Sequence, residues 1–161
     1  SIFIDSSTTC HHLVPHFDNR QQLVVITSSL QMQQLLCENT TAKVYLLGGR
    51  VFENSIMTGH MAVSSVRQYH TDLMFFSCSG LSASGGLTSI ESRVVEVVKE
   101  MMGRTAKKVL LCDSTKVGKE FLWNLAGLNE VDYVVMDRIP EDPELVSLLG
   151  SRLVTSSKQF R

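Results

Sequence analysis

Five short segments of this chain gather residues able to hold an anion. They are Asp5-Ser6-Ser7-Thr8-Thr9, Thr27-Ser28-Ser29, Gly48-Gly49-Arg50, Ser77-Cys78-Ser79-Gly80 and Asp113-Ser114-Thr115-Lys116. Hydroxyl and backbone N–H groups donate to phosphate oxygens, and paired glycines let a backbone approach a ligand closely. Lys116 and Arg50 supply positive charge, at ~1.5–3 kcal/mol for each charge-assisted hydrogen bond. Each segment alone has a plain alternative. Ser6, Ser7 and Thr8 suit a capped helix start, Gly48 to Arg50 a glycine turn with a solvated arginine, and Lys116 a surface lysine. Their recurrence is what points to a small, polar, anionic ligand. Neither GxGxxG nor GxxxxGK[ST] occurs, so no dinucleotide or nucleoside triphosphate site is indicated.

The segments recur because strands and helices alternate. Continuous apolar runs over 2–4, 23–26, 42–47, 72–77, 109–112 and 131–136, with a short one at 152–155, predict buried strands. Helices are expected over 10–17, 30–38, 59–69 and 140–149. Another should run to about 106 from a capping box in which Thr88 is the cap and Glu91 sits three residues on. Val94, Val95, Val98, Met101 and Met102 would form its core stripe. Residues 51–57 read as an irregular extended or hairpin segment, 82–86 as a Ser/Gly loop, 121–123 as a short extended piece, 125–130 as a turn or helix. Residues beyond Ser156 read as a polar tail. This is the pattern of an α/β domain: a mainly parallel sheet with helices on both faces. In such sheets ligands bind at the carboxyl ends of the strands, where all five segments fall.

At 161 residues the chain has the size of one domain with a full core. Its net charge of -1 argues against a nucleic-acid surface on this piece. No apolar run reaches the ~18 residues of a membrane span, so no membrane partner is expected. The chain opens directly inside a strand, without Met or a basic leader, as a fragment of a longer protein would. The four cysteines (Cys10, Cys37, Cys78, Cys112) show no CxxC spacing, which fits a reduced, cytoplasmic protein. Cys10, His11, His12 and His16 invite a metal reading. Adjacent ligands on a helix point to different faces, however, so neither metal nor cofactor is expected.

As a set, Asp5-Ser6-Ser7-Thr8-Thr9, Thr27-Ser28-Ser29, Leu46-Leu47-Gly48-Gly49-Arg50, Gly86-Leu87-Thr88 and Asp113-Ser114-Thr115-Lys116-Val117-Gly118 resemble, in order and spacing, the C-terminal effector domain of the DeoR-type bacterial transcriptional repressors. The resemblance covers essentially the whole chain. It implies a fold similar to ribose-5-phosphate isomerase, glucosamine-6-phosphate deaminase and CoA transferases. It implies a sensor of phosphorylated sugars or related metabolites that assembles as a dimer or tetramer. DNA would be bound only through an N-terminal winged helix-turn-helix absent from this chain. Carried over, the ligand-binding set is Asp5, Ser6, Ser7, Thr8, Thr9, Thr27, Ser28, Gly48, Gly49, Arg50, Ser79, Gly80, Glu96, Asp113 and Lys116. The chain departs from the family pattern at Ser28, where Asn is usual, and near Ser79, where an acidic residue is common. Beyond Thr88 only Lys99 matches the basic pair, and Glu96 stands for the acidic residue before it.

The expected function is therefore sensing and not catalysis. The rival is an isomerase or deaminase of the same fold, which needs a carboxylate or histidine near the bound sugar to move protons. Asp5, Asp113 and Glu91 lie at the right edge for that. His11, His12, His16 and His60 fall on expected helices or their starts, and His70 precedes a strand at its far end. A third reading is an oligomerisation module with a vestigial pocket.

Overall fold

The computed structural model describes residues 1–17 and 22–155. Gln21 and the expected polar tail lie outside the described residues. In chain order the elements are β1 (Ile2–Ile4), α1 (Thr8–His11), β2 (Val24–Thr27), α2 (Leu30–Asn39), β3 (Lys43–Leu46), β4 (Arg50–Phe52), β5 (Ile56–Thr58), α3 (His60–Val66), β6 (Thr71–Phe76), β7 (Gly80–Ser82), β8 (Gly86–Ser89), α4 (Ser92–Met102), β9 (Thr105–Cys112), β10 (Trp123–Ala126), β11 (Tyr133–Met136), α5 (Pro143–Leu149) and β12 (Leu153–Thr155).

The central sheet has seven strands in the order β12-β11-β9-β6-β1-β2-β3, every neighbouring pair parallel. This is the α/β architecture expected from the alternating runs. β1 lies inside the sheet because its three residues are apolar on both faces. Phe3 packs into one core with Ile26, Met74, Phe76 and Leu110, covered by α3, α4 and α5. Ile2 and Ile4 point the other way, into a core with Val25, Val109 and Leu111, covered by α1 and α2 through Cys10, Met32 and Leu36. Phe3 and Phe76 are completely buried, and burying a side chain of that kind stabilises the fold by ~1.5–3 kcal/mol.

From β1 the chain runs outward through β2 to β3, then returns to lay β6 on the other side of β1 and runs outward through β9, β11 and β12. The order therefore reverses between β1 and β6. Crossovers leaving the sheet there in opposite directions open a crevice at the carboxyl ends of these two strands.

Several elements differ from expectation, each for a local reason. The segment 10–17 is not one helix. α1 starts at Thr8, where Ser7 accepts from Cys10 N at 3.3 Å, and a separate 3₁₀ turn holds Val14, Pro15 and His16. Pro15 cannot donate the bond that would continue the first helix. α4 is capped by Glu91, and Thr88 belongs to β8, where its Oγ1 accepts from Phe121 N at 3.0 Å. The same helix stops at Met102, before Gly103. α3 ends at Val66, and α5 starts at Pro143 under an Asp142 cap. Residues 51–57 do form a hairpin, β4 with β5, with Glu53 and Asn54 at positive φ in its turn. The expected loop at 82–86 is instead the turn of a second hairpin. β7 pairs antiparallel with β8, and β10 completes a three-stranded sheet. Glycine makes this possible: a Cβ on Gly80 would run into the Lys119 carbonyl, and Gly86 sits at φ 65 against Ala126 O.

Candidate functional site

The crevice between β1 and β6 is built on one buried carboxylate. Asp5 follows Ile4 directly and is only 3% exposed. Its Oδ1 accepts from Ser7 N at 2.9 Å and Ser7 Oγ at 2.6 Å, and its Oδ2 accepts from Ser77 N at 2.9 Å. The carboxylate thus ties the turn after β1 to the turn after β6. Burial and the neighbouring Asp5 charge push the Cys10 thiol well above its ordinary pKa, so Cys10 is a core group and not a nucleophile.

Lys116 reaches the same place from the end of β9. Asp113 caps the 3₁₀ turn Ser114–Lys116 by accepting from Thr115 N at 3.0 Å; its carboxyl is held below the usual range by the Thr115 hydroxyl and by Lys116. The turn is fixed from the next strand as well, since Asp137 accepts from Ser114 N at 2.7 Å and Ser114 Oγ at 2.9 Å. Held this way, Lys116 Nζ lies 2.9 Å from Ser77 Oγ, 3.3 Å from Thr9 Oγ1 and 3.6 Å from Asp113 Oδ2. Ser77 Oγ in turn donates to Leu111 O at 2.6 Å. One ammonium therefore meets hydroxyl oxygens from the turns after β1 and β6; with the Ser77 proton given to Leu111 O, the ammonium and the Thr9 hydroxyl are the donors left for an oxyanion.

Beside this cluster, and sharing Ser77 with it, lies a cleft of about 340 Å³. Asp5, Ser6 and Ser7 line it on one side and Ser77, Cys78 and Ser79 on the other. Phe52, Glu53 and Ile56 of the first hairpin form a wall, and Ser89, Ile90, Glu91 and Val94, around the start of α4, form the opposite one. The walls are joined at the rim. Arg93 donates to Glu91 through Nε at 2.7 Å and Nη2 at 2.9 Å, and its guanidinium stacks 3.8 Å from the Phe52 ring centroid. The bidentate pair with Arg93 lowers the Glu91 pKa to about 2. A larger groove of about 900 Å³ runs between Gly103, Lys108 and residues 124–130, at the opposite end of β9 and away from these turns.

Of the residues singled out in the sequence, Asp5, Ser6, Ser7, Thr9, Ser79, Asp113 and Lys116 come together at this crevice. Thr8 starts α1 with its side chain exposed, and Gly80 begins β7. Thr27 and Ser28 are buried. Thr27 Oγ1 accepts from Ser29 N at 3.1 Å, and Ser28 O accepts from Met57 N at 2.7 Å, so the second turn secures the hairpin that walls the cleft. Gly48, Gly49 and Arg50 lead into that hairpin: Gly49 packs against Thr58 O and Ala62, and the exposed Arg50 starts β4. Glu96 lies in another hollow with His60, Val63, Lys99 and Glu100. Arg93, Phe52 and Glu53 were not among the expected residues. The hairpin signal at 51–57 was the one sequence feature pointing to the last two.

The family model described as "DeoR C terminal sensor domain" matches residues 1–138. The chain is 30% identical over 141 residues to the HTH-type transcriptional repressor GlcR of Bacillus subtilis, covering 86% of this chain and 54% of that protein. It is 32% identical over 152 residues to the lactose phosphotransferase system repressor of Staphylococcus aureus (92% and 59%). Against the glycerol-3-phosphate regulon repressor of Haemophilus influenzae the identity is 23% over 141 residues (88% and 55%). The chain thus spans little more than half the length of these relatives. With the family model matching most of its length on a seven-stranded parallel sheet, the chain belongs to the DeoR C-terminal sensor domain family.

Proposed function

We propose that this chain is the effector-sensing domain of a DeoR-family transcriptional regulator and that its effector is a phosphorylated sugar. The observation that carries this is the Lys116 ammonium, held at the topological switch point among the hydroxyls of Thr9 and Ser77, beside the Ser6–Ser7 turn. A phosphate group there would accept from the Lys116 ammonium and from the Thr9 and Ser6 hydroxyls, and the cleft beyond has room for the sugar. Relatives named for a lactose phosphotransferase system and for a glycerol-3-phosphate regulon agree with that ligand class. Operator binding by a further domain, assembly into a dimer or tetramer, and action in the cytoplasm belong to the same proposal.

The enzyme reading is less favoured because the candidate proton carriers are committed. Asp5 accepts from three donors, Glu91 is clamped by Arg93, and Asp113 is engaged by Thr115 and Lys116. Among the described residues lining the cleft there is no histidine.

Calorimetric titration with ribose 5-phosphate, glucosamine 6-phosphate and fructose 6-phosphate, each beside its free sugar, tests the proposal. Binding of a phosphorylated compound and not of its free sugar is expected, with the compound recovered unchanged after incubation. Turnover that disappears in Asp113→Asn would replace sensing by catalysis.

A further inference from the structure

Two of the chain's cysteines meet directly beneath the Lys116 cluster. β6 and β9 pair in register, Phe75 with Val109 and Phe76 with Leu110. Continued by two residues, that register sets Cys78 beside Cys112. Both side chains share one core with Phe76 and Leu110, so they leave the sheet on the same face. Both are buried, Cys78 7% and Cys112 3% exposed, so each thiol faces the other within that core. Neighbouring strands are about 4.8 Å apart, inside the ~4.4–6.8 Å Cα separation that a disulfide spans. Both are free thiols in the structure. Cys78 lines the cleft, which gives a small oxidant a path to the pair.

We infer that Cys78 and Cys112 are a redox-convertible thiol pair, oxidised to a disulfide by a hydroperoxide entering through the cleft, and that the bond weakens anion binding at Lys116. A thiolate is the nucleophile in such chemistry. The neighbouring Cys78 thiol and the nearby Lys116 charge favour the thiolate of Cys112, while the Cys112 neighbour and burial push Cys78 up. One sulfur of the pair attacks the peroxide, the O–O bond breaks, and the departing oxygen takes a proton and leaves as an alcohol or water. The sulfenic acid so formed is attacked by the second sulfur. The S–S bond forms, the S–O bond breaks and water leaves. Two thiols lose two electrons, and the hydroperoxide gains them.

The bond reaches the anion cluster through the chain itself. Ser77, whose hydroxyl is 2.9 Å from Lys116 Nζ, immediately precedes Cys78. Asp113, 3.6 Å from the same ammonium, immediately follows Cys112. Cys112 Sγ donates to Asp113 O at 3.4 Å, a hydrogen bond lost when oxidation removes the thiol proton. The effect on binding rests on the anion-site reading proposed above; formation of the bond does not.

The test treats the Cys37→Ser protein with hydrogen peroxide, removing the one exposed cysteine, and maps its peptides without reduction. A cross-linked peptide joining Cys78 and Cys112 is expected, absent in both Cys78→Ser and Cys112→Ser. The thermal shift produced by inorganic phosphate should fall at least several-fold after oxidation, return with dithiothreitol, and be insensitive to peroxide in Cys112→Ser. If both cysteines are still alkylated after unfolding, at a peroxide dose that oxidises Cys37 in the wild-type chain, the thiol pair is refuted. A cross-link with an undiminished phosphate shift refutes the coupling. A cross-link in a protein whose reduced form does not respond to phosphate supports the pair and counts against the anion site alone.

Discussion

In the proposed anion site Lys116 would supply the charge, while Asp5 ties together the two turns beside it. Lys116→Ala should cost ~1.5–3 kcal/mol of binding to a phosphorylated ligand, roughly 10- to 150-fold in Kd, readable by calorimetric titration. Asp5→Asn acts differently. An amide cannot accept from Ser7 N, Ser7 Oγ and Ser77 N together, and its own N–H₂ meets a donor. A loss of ~1–3 kcal/mol of folding stability is expected, seen as a lower urea midpoint with unchanged slope. The turn that carries Lys116 was legible in the sequence because Asp113-Ser114-Thr115-Lys116 is local. The clamp by Asp5 was not, because its partner Ser77 is 72 residues away and becomes a neighbour only when β6 returns beside β1.

Among the elements, the two hairpins show what sequence pattern can and cannot convey. Residues 51–57 carry β-branched and aromatic residues around Asn54, a local hairpin signal, and β4 and β5 form there. β7 and β8 run through a Ser- and Gly-rich stretch with little strand propensity of its own. They exist because β10 and the segment before it press close against them, which small residues permit. Gly80→Ala should therefore destabilise the fold by ~1–3 kcal/mol, since its Cβ would meet backbone at Lys119 and the Thr88 hydroxyl. Gly48→Ala, whose Cβ would meet only Ser65 Oγ at 3.6 Å, should fall within about 0.5 kcal/mol of wild type. Thermal unfolding of the two variants checks both. The missed cap of α4 has the same origin. Thr88 and Glu91 have capping-box spacing, but β10 draws Thr88 into a strand and leaves the cap to Glu91.

For the whole molecule, pH dependence follows from carboxylates that hydrogen bonds and arginines hold below their ordinary range. Glu91 sits at about 2 through Arg93, and Glu100, Asp113, Glu120 and Asp137 are shifted the same way by Arg67, Thr115, Ser82 and Ser114. A depressed folded-state value means the stabilisation is present above the unfolded pKa, ~4 for these groups, and is lost as pH falls through the folded value. Tm should decline between about pH 4 and pH 2, and Glu91→Gln should shallow that decline; a Tm flat across this range would contradict the assignment. The seven-stranded order also accounts for where binding is expected, since among the described strands β1 and β6 are the one pair from which the chain departs in opposite directions. The most direct test of that claim is thermal unfolding of the wild-type domain and of Lys116→Ala with a panel of sugar phosphates, their free sugars and inorganic phosphate. A ligand that binds only the folded state, at 100 times its Kd, adds ~2.7 kcal/mol, roughly 5–10 °C for a chain of this size. The account predicts a shift of that order with at least one sugar phosphate, none with its free sugar, and a much smaller one in Lys116→Ala. An equal shift in Lys116→Ala, or no shift with any phosphorylated compound in the folded protein, would contradict it.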